Sequence, residues 1–166
     1  ISCIANIPYY ITSPIIFMIL DTPQIKNASL MIQKEVADRL TATPRHKTYG
    51  AFTVLVQYEA KVKKLIDVKR TSFYPIPNVD SAVIEIEKTT HYKAQVNDEL
   101  FFKEIVKASF AQKRKTLLNN LSTSYEIEKK PLLEKLKSID EKYSEFTRAE
   151  EMSIEDFILL SNRWVL

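Results

Sequence analysis

The chain carries an asparagine, a proline and a tyrosine within one quartet, Asn6-Ile7-Pro8-Tyr9, ahead of Thr12-Ser13-Pro14. An amide, a rigid turn and an aromatic ring on neighbouring residues form a chemically sensible grip for a planar amino group. Asparagine and proline are also ordinary turn residues, so the quartet alone leaves grip and turn equally open. A second set lies in Phe73-Tyr74-Pro75-Ile76-Pro77-Asn78-Val79-Asp80-Ser81-Ala82. Here Pro75 and Pro77 hold themselves and the residues before them extended, and so could present the Phe73 ring at low entropy cost. Simple packing of Phe73 on a core is the plainer alternative. A third set, Lys113-Arg114-Lys115 beside Gln112 and Asn119, suits a nucleic-acid backbone, with Lys107 as an extension of the patch. A solvated surface run would look the same.

These residues need elements to hold them. Residues 1–5 form an apolar run and read as a buried strand, so the quartet falls in the loop after it. In an open α/β sheet the carboxyl ends of strands are where ligands bind. Ser13 is a good N-cap with Pro14 at the first helical position, followed by Ile15, Ile16, Met18 and Ile19 on an apolar face. Residues 28–33 read as a second buried strand and 35–40 as a short helix ended by residues 41–44. Residues 45–50 read as a polar loop, and 51–60 as a helix through Phe52, Leu55, Val56 and Tyr58. Residues 62–68 and 82–86 are β-rich and flank the proline loop. Strand, helix, strand, helix and strand pair is the order of the second half of an α/β sheet that finishes with an antiparallel strand.

From Asn97 the texture is helical. Leu100, Phe101, Ile105, Val106 and Phe110 recur at helical spacing, as do Leu117, Leu118 and Leu121, then Leu132, Leu133 and Leu136. The cations at 113–115 are expected near a helix start. Ser153 and Asp156 resemble a capping box for a last helix through Ile154, Phe157, Ile158, Leu160 and Trp164. Residues 89–95 are the expected linker to this helical segment.

Composition removes several chemistries. The sequence has 166 residues and a single glycine, Gly50, so no glycine-rich loop can cradle a nucleotide or cofactor. One cysteine and 2 histidines leave no plausible zinc set, and no metal is expected. Cys3 sits in an apolar run and is expected in the core rather than as a reactive thiol. No apolar run approaches the roughly 18–20 residues of a membrane span, so no membrane partner is expected. Residues 1–5 lack the basic flank and cleavage site of a signal peptide, which makes an intracellular location the expectation. Net charge is +3, but residues 1–125 hold 17 Lys+Arg against 11 Asp+Glu and residues 126–166 hold 7 against 10. That bias suggests an anionic partner for the first part.

The quartet, the run Gln33-Lys34-Glu35-Val36-Ala37-Asp38-Arg39-Leu40, the Phe73 to Ala82 loop and the segment from Phe110 to Leu121 occur in the order and spacing of one family. On these residues the chain resembles the bacterial small-subunit ribosomal RNA adenine N6,N6-dimethyltransferases, along essentially its whole length. The resemblance implies the C-terminal half of a Rossmann-like class I methyltransferase sheet, residues 1–90, followed by a small all-helical RNA-binding domain, residues 91–166. It implies methylation of N6 on two adjacent adenosines near the 3′ end of 16S rRNA, with S-adenosylmethionine as donor, in ribosome biogenesis.

Under that resemblance, the Asn6 side chain and the Ile7 carbonyl accept hydrogen bonds from the amine. Pro8 sets the direction of that carbonyl, and Tyr9 and Phe73 stack on the two faces of an extruded base. Asn6 also touches the donor, and Lys107, Lys113, Arg114 and Lys115 dock rRNA of an immature 30S particle. A cytoplasmic monomer is implied. The donor's glycine-rich loop, ribose carboxylate and adenine contact lie upstream of the quartet in relatives, so residues 1–166 alone are expected to be inactive. Two other readings stay open: a resistance-type dimethyltransferase acting on large-subunit RNA, and a non-catalytic RNA-binding or ribosome-assembly factor.

Overall fold

The computed structural model describes residues 1–164; residues 165 and 166, included in the expected helical segment, lie outside the described residues. The chain divides into two compact units, one built from Ile1–Ala42 with Val56–Thr90, the other from Thr43–Leu55 with the chain from His91 onward. Helix α3 (Ala51–Glu59) begins in the second and ends in the first.

The first unit holds a 4-stranded sheet in the order β1-β2-β4-β3, formed by β1 (Ser2–Asn6), β2 (Asn27–Gln33), β3 (Ala60–Val68) and β4 (Ser81–Lys88). β1 runs parallel to β2, while β4 lies antiparallel to both β2 and β3. The last strand in sequence is therefore inserted between two earlier ones. Alternation explains which residues face inward: Ala28, Leu30 and Ile32 of β2 and Ala82, Ile84 and Ile86 of β4 are buried. Helix α2 (Lys34–Leu40) packs on β2, β3 and β4 and buries Ala37 and Leu40. Helix α1 (Thr12–Asp21) buries Ile16, Ile19 and Leu20. The Lys88 ammonium donates to the carbonyls of Ile19 (2.9 Å) and Thr22 (2.7 Å), placing a cation at the carboxyl end of α1, where the helix dipole favours one.

The two edges of the sheet differ. On β3, Lys61 and Lys63 stand opposite Glu87 and Glu85 of β4, a cross-strand charge match that also guards the edge. The register slips between Lys64 and Ile66, which is a bulge. β1, expected to be buried, is not: Ile4 is 86% exposed and no β1 residue is fully buried. Cys3, expected in the core, is half-buried for the same reason, because β1 has a partner strand on one side only.

In the second unit α4 (Glu99–Ser109), α5 (Leu117–Tyr125), α6 (Lys129–Ile139) and α7 (Ile154–Asn162) pack against one another. The starts of α4, α5 and α7 are capped by side chains. Asp98 accepts from the Phe101 amide, Thr116 from the Asn119 amide, and Ser153 with Asp156 forms a full capping box. Phe102, Ile105, Leu117, Leu121, Leu132 and Phe157 are fully buried. Lys135 reaches over the Trp164 ring at 4.9 Å, and burial lowers its pKa.

Residues 45–50 are more than a polar loop. Tyr49 is buried, its hydroxyl donates to the Met152 carbonyl (2.7 Å), and its ring meets Phe110 edge-on at 6.2 Å. The Arg45 amide donates to the Glu150 carbonyl at 2.7 Å, at a left-handed φ of 73°.

Candidate base-binding site and cationic turn

Asn6 ends β1, and the chain then turns through a 3-10 segment, Tyr9–Ile11, before α1. The Ile11 amide donates to the Pro8 carbonyl (3.2 Å) and the Thr12 hydroxyl to the Tyr9 carbonyl (3.2 Å). These bonds start the helix early, so Ser13 lies within α1 rather than at its N-cap, which is Ile11. Ile7 is buried and its amide donates to the Met31 carbonyl of β2 at 3.1 Å. The quartet is thereby fixed to the neighbouring strand while Asn6 and Pro8 remain exposed.

The opposite wall comes from the segment before β4. Because β4 is antiparallel to β2, its first residue, Ser81, pairs with Gln33 at the carboxyl end of β2. The start of β4 therefore sits at the same end of the sheet as the end of β1. The loop is held from both sides. Asp80 accepts from the Arg70 amide (2.9 Å), the Arg70 guanidinium donates to the Asn78 carbonyl (3.0 Å), and the Lys34 amide donates to the Asp80 carbonyl (3.0 Å).

Asn6, Ile7, Pro8 and Tyr9 line one cavity of about 390 Å³ with Phe73, Tyr74, Pro75, Pro77, Met31 and Ser81. Residues far apart in sequence thus meet at the carboxyl ends of β1 and β2, an aromatic-lined and open-mouthed recess with one amide at its rim. Sequence reasoning missed Met31 and Ser81. Met31 could have been reached through strand alternation only once its pairing with Asn6 was known.

The cations lie in the second unit. Lys107 is exposed on α4. Lys113, Arg114 and Lys115 are exposed, but they occupy the turn before Thr116, the N-cap of α5, rather than the helix itself. The turn is shaped by other residues. The buried Asn120 amide group donates to the carbonyls of Ser109 (2.8 Å) and Gln112 (3.2 Å) and accepts from the Gln112 amide (3.1 Å). The Arg148 guanidinium donates to the Lys113 carbonyl at 2.6 Å. Among the described residues no acidic side chain pairs with Lys107, Lys113, Arg114 or Lys115, whereas Lys34 and Lys64 in the first unit engage Asp38 and Asp67.

Among the described residues no group of His, Cys, Asp and Glu could hold a metal ion, and no helix is long and apolar enough to cross a membrane.

The family model for ribosomal RNA adenine dimethylase matches residues 1–164. The chain belongs to that family. A ribosomal RNA small subunit methyltransferase A from Bacillus thuringiensis (strain Al Hakam) is 46% identical over 169 residues, covering 98% of this chain and 56% of that protein. One from Onion yellows phytoplasma (strain OY-M) is 43% identical over 166 residues, covering 100% of this chain and 60% of the relative. The crystal structure of a dimethyladenosine transferase from Plasmodium falciparum superposes with a TM-score of 0.79 at 29% identity, covering 96% of this chain and 64% of the other. That of the 23S rRNA methyltransferase ErmE gives 0.64 at 21% identity, a likeness of fold. The chain thus spans little more than half the length of the curated relatives it matches, and its mixed sheet with flanking helices has the fold of the rRNA methyltransferases it resembles.

Proposed function

We propose that the full-length protein dimethylates N6 of two adjacent adenosines near the 3′ end of small-subunit (16S) rRNA, with S-adenosylmethionine as methyl donor. This is a step of ribosome biogenesis, performed in the cytoplasm by a monomer acting on an immature 30S particle. The observation that carries the reading is the meeting of Asn6-Ile7-Pro8-Tyr9 with Phe73 around one cavity at the carboxyl ends of the strands.

The chemistry asks for such a site. An adenine amine is a poor nucleophile because its lone pair is delocalised into the ring. Hydrogen bonds from its protons to the Asn6 side-chain oxygen and the Ile7 carbonyl favour a pyramidal nitrogen whose lone pair points out of the ring plane. Pro8 fixes the direction of the carbonyl. Tyr9 and Phe73 stack on the two faces of the extruded base, at a cost in unstacking repaid by the clamp. Orientation supplies most of the rate, so no strong general base is needed.

S-adenosylmethionine supplies the transferable methyl when bound. The residues present do not form a complete site for it. Asn6 is at the cavity, but a chain with a single glycine, Gly50, has no glycine-rich loop to offer the donor. Two features support a larger sheet in the full-length protein: the exposed Ile4 on the one-sided strand β1, and the relatives' greater length. On this reading residues 1–90 are the C-terminal half of a class I methyltransferase domain and residues 91–166 a helical domain that docks RNA through Lys107, Lys113, Arg114 and Lys115.

Methylation of immature 30S particles and of naked 23S rRNA by the full-length protein, read by mass spectrometry of nucleosides, tests the proposal. Dimethyladenosine at two adjacent 16S positions is expected. Modification of 23S rRNA alone, or of neither, overturns it. Residues 1–166 alone should give no measurable heat with S-adenosylmethionine, and tight binding by them would refute the shared donor site.

A further inference from the structure

Tyr9 and Ser81 are 72 residues apart in sequence, yet their hydroxyls lie 2.7 Å apart and share a hydrogen bond. Both line the cavity. Ser81 is 1% exposed and opens β4, a strand hydrogen-bonded on both sides, where it pairs with Gln33 of β2 and Val68 of β3. Tyr9 is half-buried in the 3-10 turn after β1. A buried hydroxyl needs a partner, and a stacking ring on a turn needs a fixed orientation. One bond meets both needs by tying the loop aromatic to an interior strand of the sheet.

We propose that Ser81 is a positioning residue for the Tyr9 ring, and so sets the spacing and tilt between the two aromatic walls of the base clamp. This rests on the reading of Tyr9 and Phe73 as stacking walls. Two connections make Ser81 suited to the task. It directly follows Asp80, whose carboxylate and carbonyl fix the Phe73 loop to Arg70 and Lys34, so one short stretch of chain governs both walls. Its hydroxyl also reaches the far end of the tyrosine ring, the point with the longest lever arm about the Cα–Cβ axis. Replacing Tyr9 by Phe keeps the ring but frees it to tilt.

The test is a double-mutant cycle in the full-length protein with Tyr9→Phe, Ser81→Ala and their combination, measuring kcat and KM for the RNA substrate. Each single change should lower kcat roughly three- to tenfold, the range for loss of one neutral hydrogen bond, with KM for RNA unchanged. The double variant should match either single one, because both remove the same bond. A second readout uses RNA with 2-aminopurine at the target adenosine. Its stacking-dependent fluorescence in the complex should change in the same sense for both single variants. Tyr9→Phe keeps the ring and leaves β4 unaltered in sequence, so it keeps the test valid if Ser81→Ala lowers the melting temperature. Losses that multiply in the double variant, or full kcat in Tyr9→Phe, overturn the role of Ser81 alone. A wild-type protein without methylation would instead remove the reading beneath it, and the role with it.

Discussion

The loop 73–80 takes its shape from two prolines and from the Asp80 and Arg70 contacts at its ends, whereas the turn before α5 takes its shape from Asn120 beneath it and Arg148 beside it. In the first case the proposed stacking side chain, Phe73, is itself part of a cavity wall. In the second the side chains of Lys113, Arg114 and Lys115 are exposed and meet no acidic partner among the described residues, while the Lys113 carbonyl is held by Arg148. Stacking acts over a few tenths of an ångström and needs a fixed ring. Charge acts over roughly a Debye length of ~8–10 Å and needs only a fixed origin. The two regions should therefore fail in different ways.

The largest expected effect is at the clamp. Asn6→Ala in the full-length protein should lower kcat by about 10²-fold, because a misoriented amine loses its near-attack geometry, with little change in RNA affinity. Steady-state methylation with an equilibrium RNA-binding assay checks this, and a loss confined to affinity would erase the contrast between the regions. Replacing Lys113, Arg114 and Lys115 by Ala should weaken RNA binding and make the log–log salt slope less steep by roughly 2–3, if each cation meets one phosphate. An unchanged slope would take these residues out of the interface.

Asn120→Ala separates shape from charge in the turn. It removes the Asn120 bonds to the Ser109 carbonyl and the Gln112 amide, while the Gln112 carbonyl keeps the Lys115 amide, at a cost of about 1–3 kcal/mol in urea unfolding. RNA affinity should fall while the salt slope stays as in the parent, since no charge is lost. The smallest effect is a gain. Arg45→Gly should raise stability by about 1 kcal/mol, because a left-handed φ of 73° is strained for arginine and not for glycine. RNA affinity should be unaltered, and thermal unfolding with a titration checks both.

Legibility differed from element to element for physical reasons. The strands at 28–33 and 82–86 and the capping box at Ser153 could be read locally, because alternation and capping depend on residues a few positions apart. The start of α1 could not. Ser13 carries the right chemistry for an N-cap, but the Pro8 and Tyr9 carbonyls capture Ile11 and Thr12 first and move the cap to Ile11. Tyr49 looked like part of a polar loop, since nothing beside it in sequence announces that Met152 and Phe110 will enclose it.

The sequence by itself determined the motifs, their order and the family they resemble, along with the poverty of glycine that leaves a donor site incomplete in these residues. Those properties reside in residue type and short spacing. Only the tertiary structure decided that β4 inserts between β2 and β3, that Ser81 therefore meets Tyr9, and that Asn120 and Arg148 shape the cationic turn. Pairing across tens of residues leaves no periodic trace in the chain. It is settled by which strands and side chains can satisfy one another's hydrogen bonds once the core has closed.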